Sequence, residues 1–365
     1  MSEGDLYIGL MSGTSLDGVD AVLADFAVPP ARVMASVHHP FPPSLRQALF
    51  ALQGAGHDEI ERAALAGNEL ATSYAAAVEE VLRKSGAGRH SVRAIGCHGQ
   101  TIRHRPDLGY TSQIGNAALL AEKTAIAVVA DFRSRDVAAG GHGAPLAPAF
   151  HAAMFSHAVE NRVILNLGGI ANLTWLAPGD PISGFDCGPG NCLMDLWCEL
   201  HTGASFDRSG SWASGGQVIP QLLGKMLAEP YFCRPPPKST GRDLFNEGWV
   251  RARLSTGEDP RDVQATLLEL TASSISEAIG RSFPRTSRVI ACGGGTLNTV
   301  LMKRIAKLVK PAPVESSAPH GIDPQLVESM AFAWLARQTL SHAAGNLPSV
   351  TGARGERVLG AVYPR

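Results

Sequence analysis

Apolar positions along this chain switch repeatedly between strand-length runs and helical spacing. Leu6 to Leu10 and Val19 to Phe26 are apolar runs of strand length. They flank a bend of small residues, hydroxyls and carboxylates, Met11-Ser12-Gly13-Thr14-Ser15-Leu16-Asp17-Gly18. Arg32 to His39 predicts a third strand, ended by Pro40, Pro42 and Pro43. A long helix follows, with Ile60, Ala64, Tyr74, Val78, Val81 and Leu82 at helical spacing. Asp58 and Glu61 stand as a capping box at its start, and Gly86 and Gly88 stop it. Val92 to Cys97, Tyr110 to Ile114 and Ala125 to Ala130 read as strands, and Asn116 to Glu122 as a helix.

The second half opens like the first. Arg162 to Leu167 is an apolar strand, Gly168-Gly169 a tight turn, and Ile170 to Leu176 a returning strand. Phe185-Asp186-Cys187-Gly188-Pro189-Gly190-Asn191 leads into a helix bearing Leu193, Met194, Trp197 and Leu200. Further helices are predicted over Gln217–Ala228, Val263–Phe283, Thr299–Val309 and Pro324–Leu340. Arg288 to Cys292 is a strand that opens into Gly293-Gly294-Gly295. Trp197 and Trp334 fall within apolar helical patterns and read as core, and the Pro-rich stretch Tyr231–Pro237 reads as packing or loop.

A chain of 365 residues exceeds what one core usually serves, which predicts two domains. The glycine-dense stretch Asp131 to Pro145 marks the boundary. The expected division is 1–135, joined by a C-terminal segment of about 345–365, and 136–344. Net charge is −1 and no Lys/Arg run occurs, so nothing favours nucleic acid or an anionic membrane as partner. The acidic start Met1-Ser2-Glu3-Gly4-Asp5 lacks the pattern of a signal peptide, and no apolar run is long enough for a bilayer. None of the six cysteines forms a C-x-x-C pair, which argues against zinc and suggests free thiols in the cytoplasm.

Three glycine-rich turns thus follow strands, at Gly13, Gly168 and Gly293. The first fits two readings: a plain β-hairpin, or a bend whose free N–H groups hold phosphate while Asp17 and Asp20 hold Mg²⁺ through water. No G-x-x-x-x-G-K-[ST] loop and no G-x-G-x-x-G fingerprint is present, so P-loop and Rossmann readings lose their main support.

The order of these turns resembles the nucleotide site of the sugar kinase, actin and heat-shock chaperone superfamily. Met11 to Asp20 looks like the signature of anhydro-N-acetylmuramic acid kinases. So do His98-Gly99-Gln100-Thr101, Arg135-Asp136 with Gly140-Gly141, Gly143-Ala144-Pro145-Leu146, and Asn166-Leu167-Gly168-Gly169-Ile170-Ala171-Asn172. Phe185-Asp186 with Gly188-Pro189-Gly190-Asn191, and Cys292 to Gly295 with Asn298, complete the series. Cys187 stands where the resemblance leads one to expect Thr, and His142 where it leads one to expect Gln.

The resemblance implies an α/β fold of duplicated ribonuclease H-like (actin-like ATPase) domains, with mixed sheets flanked by helices and an active-site cleft between the two domains. It implies ATP and Mg²⁺ as cofactors, 1,6-anhydro-N-acetylmuramic acid and water as the other substrates, and a homodimer. Product would be N-acetylmuramic acid 6-phosphate, from recycled cell-wall sugar. Asp186 is then the general base, although its position also suits an Asp capping the helix that follows. Gly13, Thr14, Ser15, Leu16, Asp17, Gly18, Val19 and Asp20 would hold the β- and γ-phosphates and the metal. Gly168, Gly169 and Asn172 would meet the phosphates from the second domain, and Gly293, Gly294, Gly295 and Asn298 the adenosine or its α-phosphate. The sugar is expected near His98, Gln100, Thr101, Asp131, Arg133, Arg135 and Asp136, with Arg103, Arg133 or Arg135 taking its lactyl carboxylate. The same charges also suit surface ion pairs, and His98 a structural histidine. Alternatives are a phosphohydrolase or another sugar kinase on the same fold, or a nucleotide-gated binding or filament protein.

Overall fold

The computed structural model describes residues 4–13 and 15–365. Its chain forms two compact units, one running up to Met154 and resuming over Leu326–Arg365, the other Phe155–Gln325.

In the first unit the strands are β1 (Leu6–Met11), β2 (Gly18–Asp25), β3 (Arg32–Pro40), β4 (Val92–Cys97), β5 (Gln100–Arg105), β6 (Tyr110–Ile114) and β7 (Val128–Ala130). The second unit contributes β8 (Arg162–Leu167), β9 (Ile170–Leu176), β10 (Ser183–Pro189), β11 (Arg288–Cys292) and β12 (Val314–Ser316), and the chain returns to the first with β13 (Ala361–Tyr363). The main sheet of the first unit runs β13-β7-β4-β1-β2-β3, while β5 and β6 form a separate hairpin. The second sheet runs β10-β9-β8-β11-β12. In both, three strands meander antiparallel and two more join parallel to the first. This repeated order is the duplicated ribonuclease H-like arrangement: mixed sheets flanked by helices.

Continuous burial explains the unbroken apolar runs. All six residues of β8 are buried, as expected when both faces of a strand are covered. In the first unit the helix Val327–Leu340 lies on β1 and β4, and it is buried around most of its circumference. Gly9 of β1 and Gly96 of β4 are register partners beneath it. A Cβ at Gly9 would overlap the Ser329 carbonyl oxygen, and one at Gly96 the Phe332 carbonyl oxygen. The missing side chains let helix backbone seat directly on sheet backbone.

Several expectations shift. Asp58 sits in the left-handed region (φ +51°) and makes no capping bond, so the expected capping box does not form. Ile60, expected on the apolar face, is 89% exposed, because the buried stripe of Glu59–Ser85 begins at Ala66. Pro43, read as a strand breaker, also begins a helix, Pro43–Ala51, since proline suits the first helical turn. Ala125 has φ +54° and closes the helix Ala117–Thr124, which delays the next strand to Val128. The compact units divide at 154/155 and 325/326, where the sequence suggested 135/136 and 344/345. The Asp136 carboxylate, bonded to Asn346 and Thr351, ties its own segment to the first unit, and the helix Val327–Leu340, lying on β1 and β4, draws 326–344 into it as well. Trp197 and Trp334 are buried as expected. Among the described residues no helix is long and apolar enough to cross a membrane, and all six cysteines are free.

Candidate functional site

In the first unit the bend between β1 and β2 is tethered from beneath. The buried Ser12 hydroxyl donates to Gly99 O (3.1 Å), so the Tyr74 hydroxyl donates to it in turn (2.7 Å). Gln100, 1% exposed, donates its Nε2 to Gly13 O (3.2 Å). Leu16, with φ +56°, turns its side chain into the core. Above these anchors Gly13 is open: a Cβ there would meet only Ser15 Oγ, at 3.9 Å. Ser15 and Asp17 are exposed and joined by a 2.6 Å bond from hydroxyl to carboxylate. Val19 is fully buried, and a Cβ on Gly18 would crowd the His39 backbone, so both serve the hairpin itself. Asp20 is paired across β2 and β3 with His38 (2.9 Å); burial raises its carboxyl above the usual range, against the pull of His38. Thr14 lies outside the described residues.

Of the residues expected at the sugar, the first unit brings His98 and Arg133 into contact. Buried His98 accepts from the Arg133 guanidinium (2.9 Å), which donates further to Gly143 O (2.8 Å). Burial, assisted by Arg133, pushes His98 down to about 3, so the imidazole is neutral with its proton on Nδ1. Burial likewise pushes Arg133 down to about 10, opposed by Glu328 and Asp136, because its hydrogen bonds go to neutral acceptors. Arg103 is committed elsewhere, to Glu59 (2.6 Å) and the carbonyls of Leu52 and Ile102. Arg135 is exposed, and its guanidinium makes no hydrogen bond or ion pair among the described residues. Thr101 accepts from Gln113 Nε2 (3.2 Å). Asp131 is exposed at the end of β7 with φ +57°, a conformation that costs a non-glycine residue energy.

Asp136 departs from the sugar-contact expectation. It is fully buried, and its carboxylate accepts from Asn346 Nδ2 (2.7 Å), Thr351 Oγ1 (2.8 Å) and Gly143 N (2.7 Å). Three internal donors make it a lock between the 133–143 segment and the chain's end.

In the second unit, Asn166 of β8, Asn172 of β9 and Asp186 of β10 are successive register partners, with Cys292 of β11 on the other side of Asn166. Their strand neighbours Leu165, Leu167, Ala171, Leu173, Phe185, Cys187 and Ala291 all belong to the core cluster. Strand alternation therefore puts this polar row on the opposite face. The register slips between Asp186 and Gly188, a bulge that seats Cys187 inward with its thiol toward Ala171 O (3.2 Å). Asp186 is part of the strand, and the following helix, Cys192–Thr202, starts beyond Asn191. The helix-capping alternative for Asp186 is thereby removed. Its Oδ2 accepts from Thr240 N (3.1 Å), and its Oδ1 has no hydrogen bond among the described residues. Burial raises the carboxyl to about 6, against the pull of the Thr240 N–H and Lys238.

The remaining glycines divide by what a Cβ would meet. Those of Gly293 (φ +85°) and Gly295 would run into Leu167 with Asn166 or Asn191, so both are needed for packing. Gly294 would meet nothing within 4 Å and is open. The carbonyls of Gly168 and Gly169 accept from the N–H groups of Asn191, Gly190 and Cys192, binding the turn to the start of the next helix. Asn298 caps the helix Thr299–Leu308, its Oδ1 accepting from Leu301 N (3.0 Å).

Sequence reasoning passed over Lys238 and Thr240, in the loop after the proline run, and over Asp195 on the first turn of Cys192–Thr202. Burial raises Asp195 to about 7, opposed by Arg242 and reinforced by Asp207 and Glu199. A Lys-Ser-Thr-Gly run straight after three prolines was the available signal.

A family model described as anhydro-N-acetylmuramic acid kinase matches residues 5–365. The chain belongs to the anhydro-N-acetylmuramic acid kinase family. It is an enzyme of the kinase class. An anhydro-N-acetylmuramic acid kinase of Variovorax paradoxus is 56% identical over 372 residues, covering 99% of each chain. One of Chromobacterium violaceum is 55% identical over 366 residues, covering 99% of this chain and 100% of that one. Among solved structures, the activator of the 2-hydroxyisocaproyl-CoA dehydratase from Clostridium difficile with bound ADPNP aligns with a TM-score of 0.47. It is 14% identical, and the alignment covers 93% of this chain and 98% of that one.

Proposed function

We propose that this family member opens the 1,6-anhydro ring of 1,6-anhydro-N-acetylmuramic acid with water and phosphorylates O6 from ATP, giving N-acetylmuramic acid 6-phosphate and ADP. The observation that carries the reading is Asp186: a strand carboxylate facing away from the core, with one oxygen held by a backbone N–H and the other free. Asp186 takes a proton from the water whose oxygen bonds to C1. The C1–O6 bond breaks, O6 bonds to the γ-phosphorus, and the bond from that phosphorus to ADP breaks. Freed in place, O6 needs no separate alignment. A base that titrates near 6 is ionised at neutral pH yet basic enough to accept that proton.

The open bend at Gly13, Ser15 and Asp17 is proposed to hold the β- and γ-phosphates; within the second unit, Gly168, Gly169, Asn172 and the open Gly294 are proposed as nucleotide contacts. Leu16, Gly18, Val19, Gly293, Gly295 and Asn298 act by shaping these turns. Asp17 and Asp20 suit Mg²⁺ bound through water. Two carboxylates are enough for an ion that keeps most of its waters, and no three metal-ligating side chains converge among the described residues. When bound, the ion neutralises phosphate charge. His98, Gln100, Thr101, Asp131 and Arg135 are proposed to surround the sugar, and Asp136 to hold their segment in place. We place the enzyme in the cytoplasm as a homodimer; the six free cysteines, five of them buried, support the first, and light scattering reads the second.

The deciding assay is ADP release with and without the anhydro sugar. The expected result is ADP and sugar phosphate in equal amounts, only when sugar is present. Release of inorganic phosphate instead would point to a phosphohydrolase. The acid limb of kcat/KM should fall near pH 6, because protonating Asp186 removes the base.

Arg133 is our assignment for the lactyl carboxylate, since its charge is desolvated while its hydrogen bonds go to neutral groups. Arg133→Met should raise the sugar KM by about 10- to 100-fold and leave the ATP KM nearly unchanged. With an anhydro sugar lacking the lactyl group, variant and wild type should converge. Equal loss on both sugars would reassign the carboxylate to Arg135.

A further inference from the structure

The segment spanning the second unit's proline run, residues 231–240, packs as more than a loop. The Tyr231 hydroxyl donates to Asp186 O (2.7 Å), Asp186 N donates to Lys238 O (3.3 Å), and Thr240 N donates to Asp186 Oδ2 (3.1 Å). One residue of β10 is thus held at its carbonyl, its N–H and its carboxylate by three points of a ten-residue stretch. The Lys238 ammonium is itself fixed. It donates to Tyr231 O (3.1 Å) and Phe232 O (3.3 Å) and lies over the rings of Tyr231 (4.7 Å) and Phe185 (5.5 Å). Phe185 adjoins Asp186 on the strand, so the cation is anchored beside the carboxylate without forming a direct ion pair.

We infer that residues 231–240 form a strap that positions Asp186, with Lys238 as the fixed cation that keeps the carboxylate ionised at working pH. The inference rests on the reading of Asp186 as the base and names what tunes it. Three titratable groups are coupled to that carboxylate: Lys238 from the strap, Tyr231 from the short helix Pro230–Cys233, and Cys187 beside it on β10. Burial pushes the Tyr231 hydroxyl and the Cys187 thiol far up, so both are neutral and Lys238 supplies the charge. Burial lowers Lys238 itself, and Arg281 and Arg234 add to that. A direct ion pair would fix the carboxylate low and waste it as a base; a cation held at a distance moderates the cost of burial.

The test is Lys238→Met with Lys238→Arg as control, each followed by the pH profile of kcat/KM, the thermal midpoint, and a ¹³C carboxyl titration whose Asp186 signal is assigned by its loss in Asp186→Asn. The expected result is an acid limb and a carboxyl titration both moved up by about one pH unit in the methionine variant, with the arginine variant close to wild type. A strap that merely packs gives a lower thermal midpoint and an equal loss of kcat at every pH, with neither curve moved; that result overturns the inference. If the carboxyl titration moves and the acid limb does not, the strap stands and the assignment of Asp186 as base fails.

Discussion

Asp186→Asn should lose turnover by a factor of about 10³ or more, yet melt at a higher temperature than wild type at pH 7.5. Both effects come from one feature. Burial lifts the carboxyl from an ordinary 3.8 to about 6, so the folded state binds a proton more tightly than the unfolded state. Stability linked to this group is therefore complete below about pH 4 and is lost as the pH rises through 6. At neutral pH the ionised carboxylate destabilises the second unit, by about 1–2 kcal/mol once partial exposure is discounted. Asparagine keeps an acceptor for Thr240 N and carries no charge. The thermal midpoint at pH 7.5 should rise by about 3–6 °C and the difference should vanish near pH 4, as read by calorimetry across that range. Binding of ATP and sugar should persist. Near wild-type turnover, or a lower midpoint at neutral pH, would remove Asp186 from the role of base.

Gly9→Ala is expected to cost the first unit about 3 kcal/mol or more, a large effect for a single methyl group. The new carbon would overlap the Ser329 carbonyl oxygen, and backbone cannot rotate away as a side chain can. Relief requires lifting the helix Val327–Leu340 from β1 and β4, which loosens the packing of Met330, Ala333 and Leu335, all buried. Urea unfolding measures it. Gly96→Ala meets the Phe332 carbonyl and should behave alike, and the two should be strongly non-additive because one helix displacement relieves both. By contrast Gly294→Ala, with open space around it, should unfold as wild type does and reveal any loss only in ATP KM. A Gly9→Ala protein as stable as wild type would mean the helix seats more loosely on the sheet.

The stability of the first unit and the chemistry assigned to the second thus depend on different kinds of residue, and these were unequally legible. Repeated strand–glycine–strand spacing announced both hairpins and the duplicated order of strands. Asp186 stood out for the glycines and proline after it, yet whether it capped a helix or lay on a strand was open. Pairing of Asp186 with Asn172 of β9, and a helix that starts only beyond Asn191, decided that, and strand pairing is a distant contact that no local pattern encodes. Asp58 shows the reverse failure: its spacing to Glu61 satisfies the capping rule, but its backbone is left-handed and its side chain makes no capping bond.

Charged residues near the expected sugar show the limit most clearly. Arg103, Arg133, Arg135 and Asp136 are indistinguishable in sequence, being polar and close to glycines. Folding gives Arg103 to Glu59, 44 residues away, and Asp136 to Asn346, 210 residues away, while the half-buried Arg133 donates to neutral acceptors. By itself the sequence carried the family resemblance in its motifs; it also determined the alternation of strands and helices and the three glycine bends, because those two depend on apolar period and on the intrinsic conformational freedom of glycine. Only the tertiary structure decided which carboxylate remains free for chemistry and which is locked as structure. A side chain's charge state and partners are set by distant segments that burial brings to it.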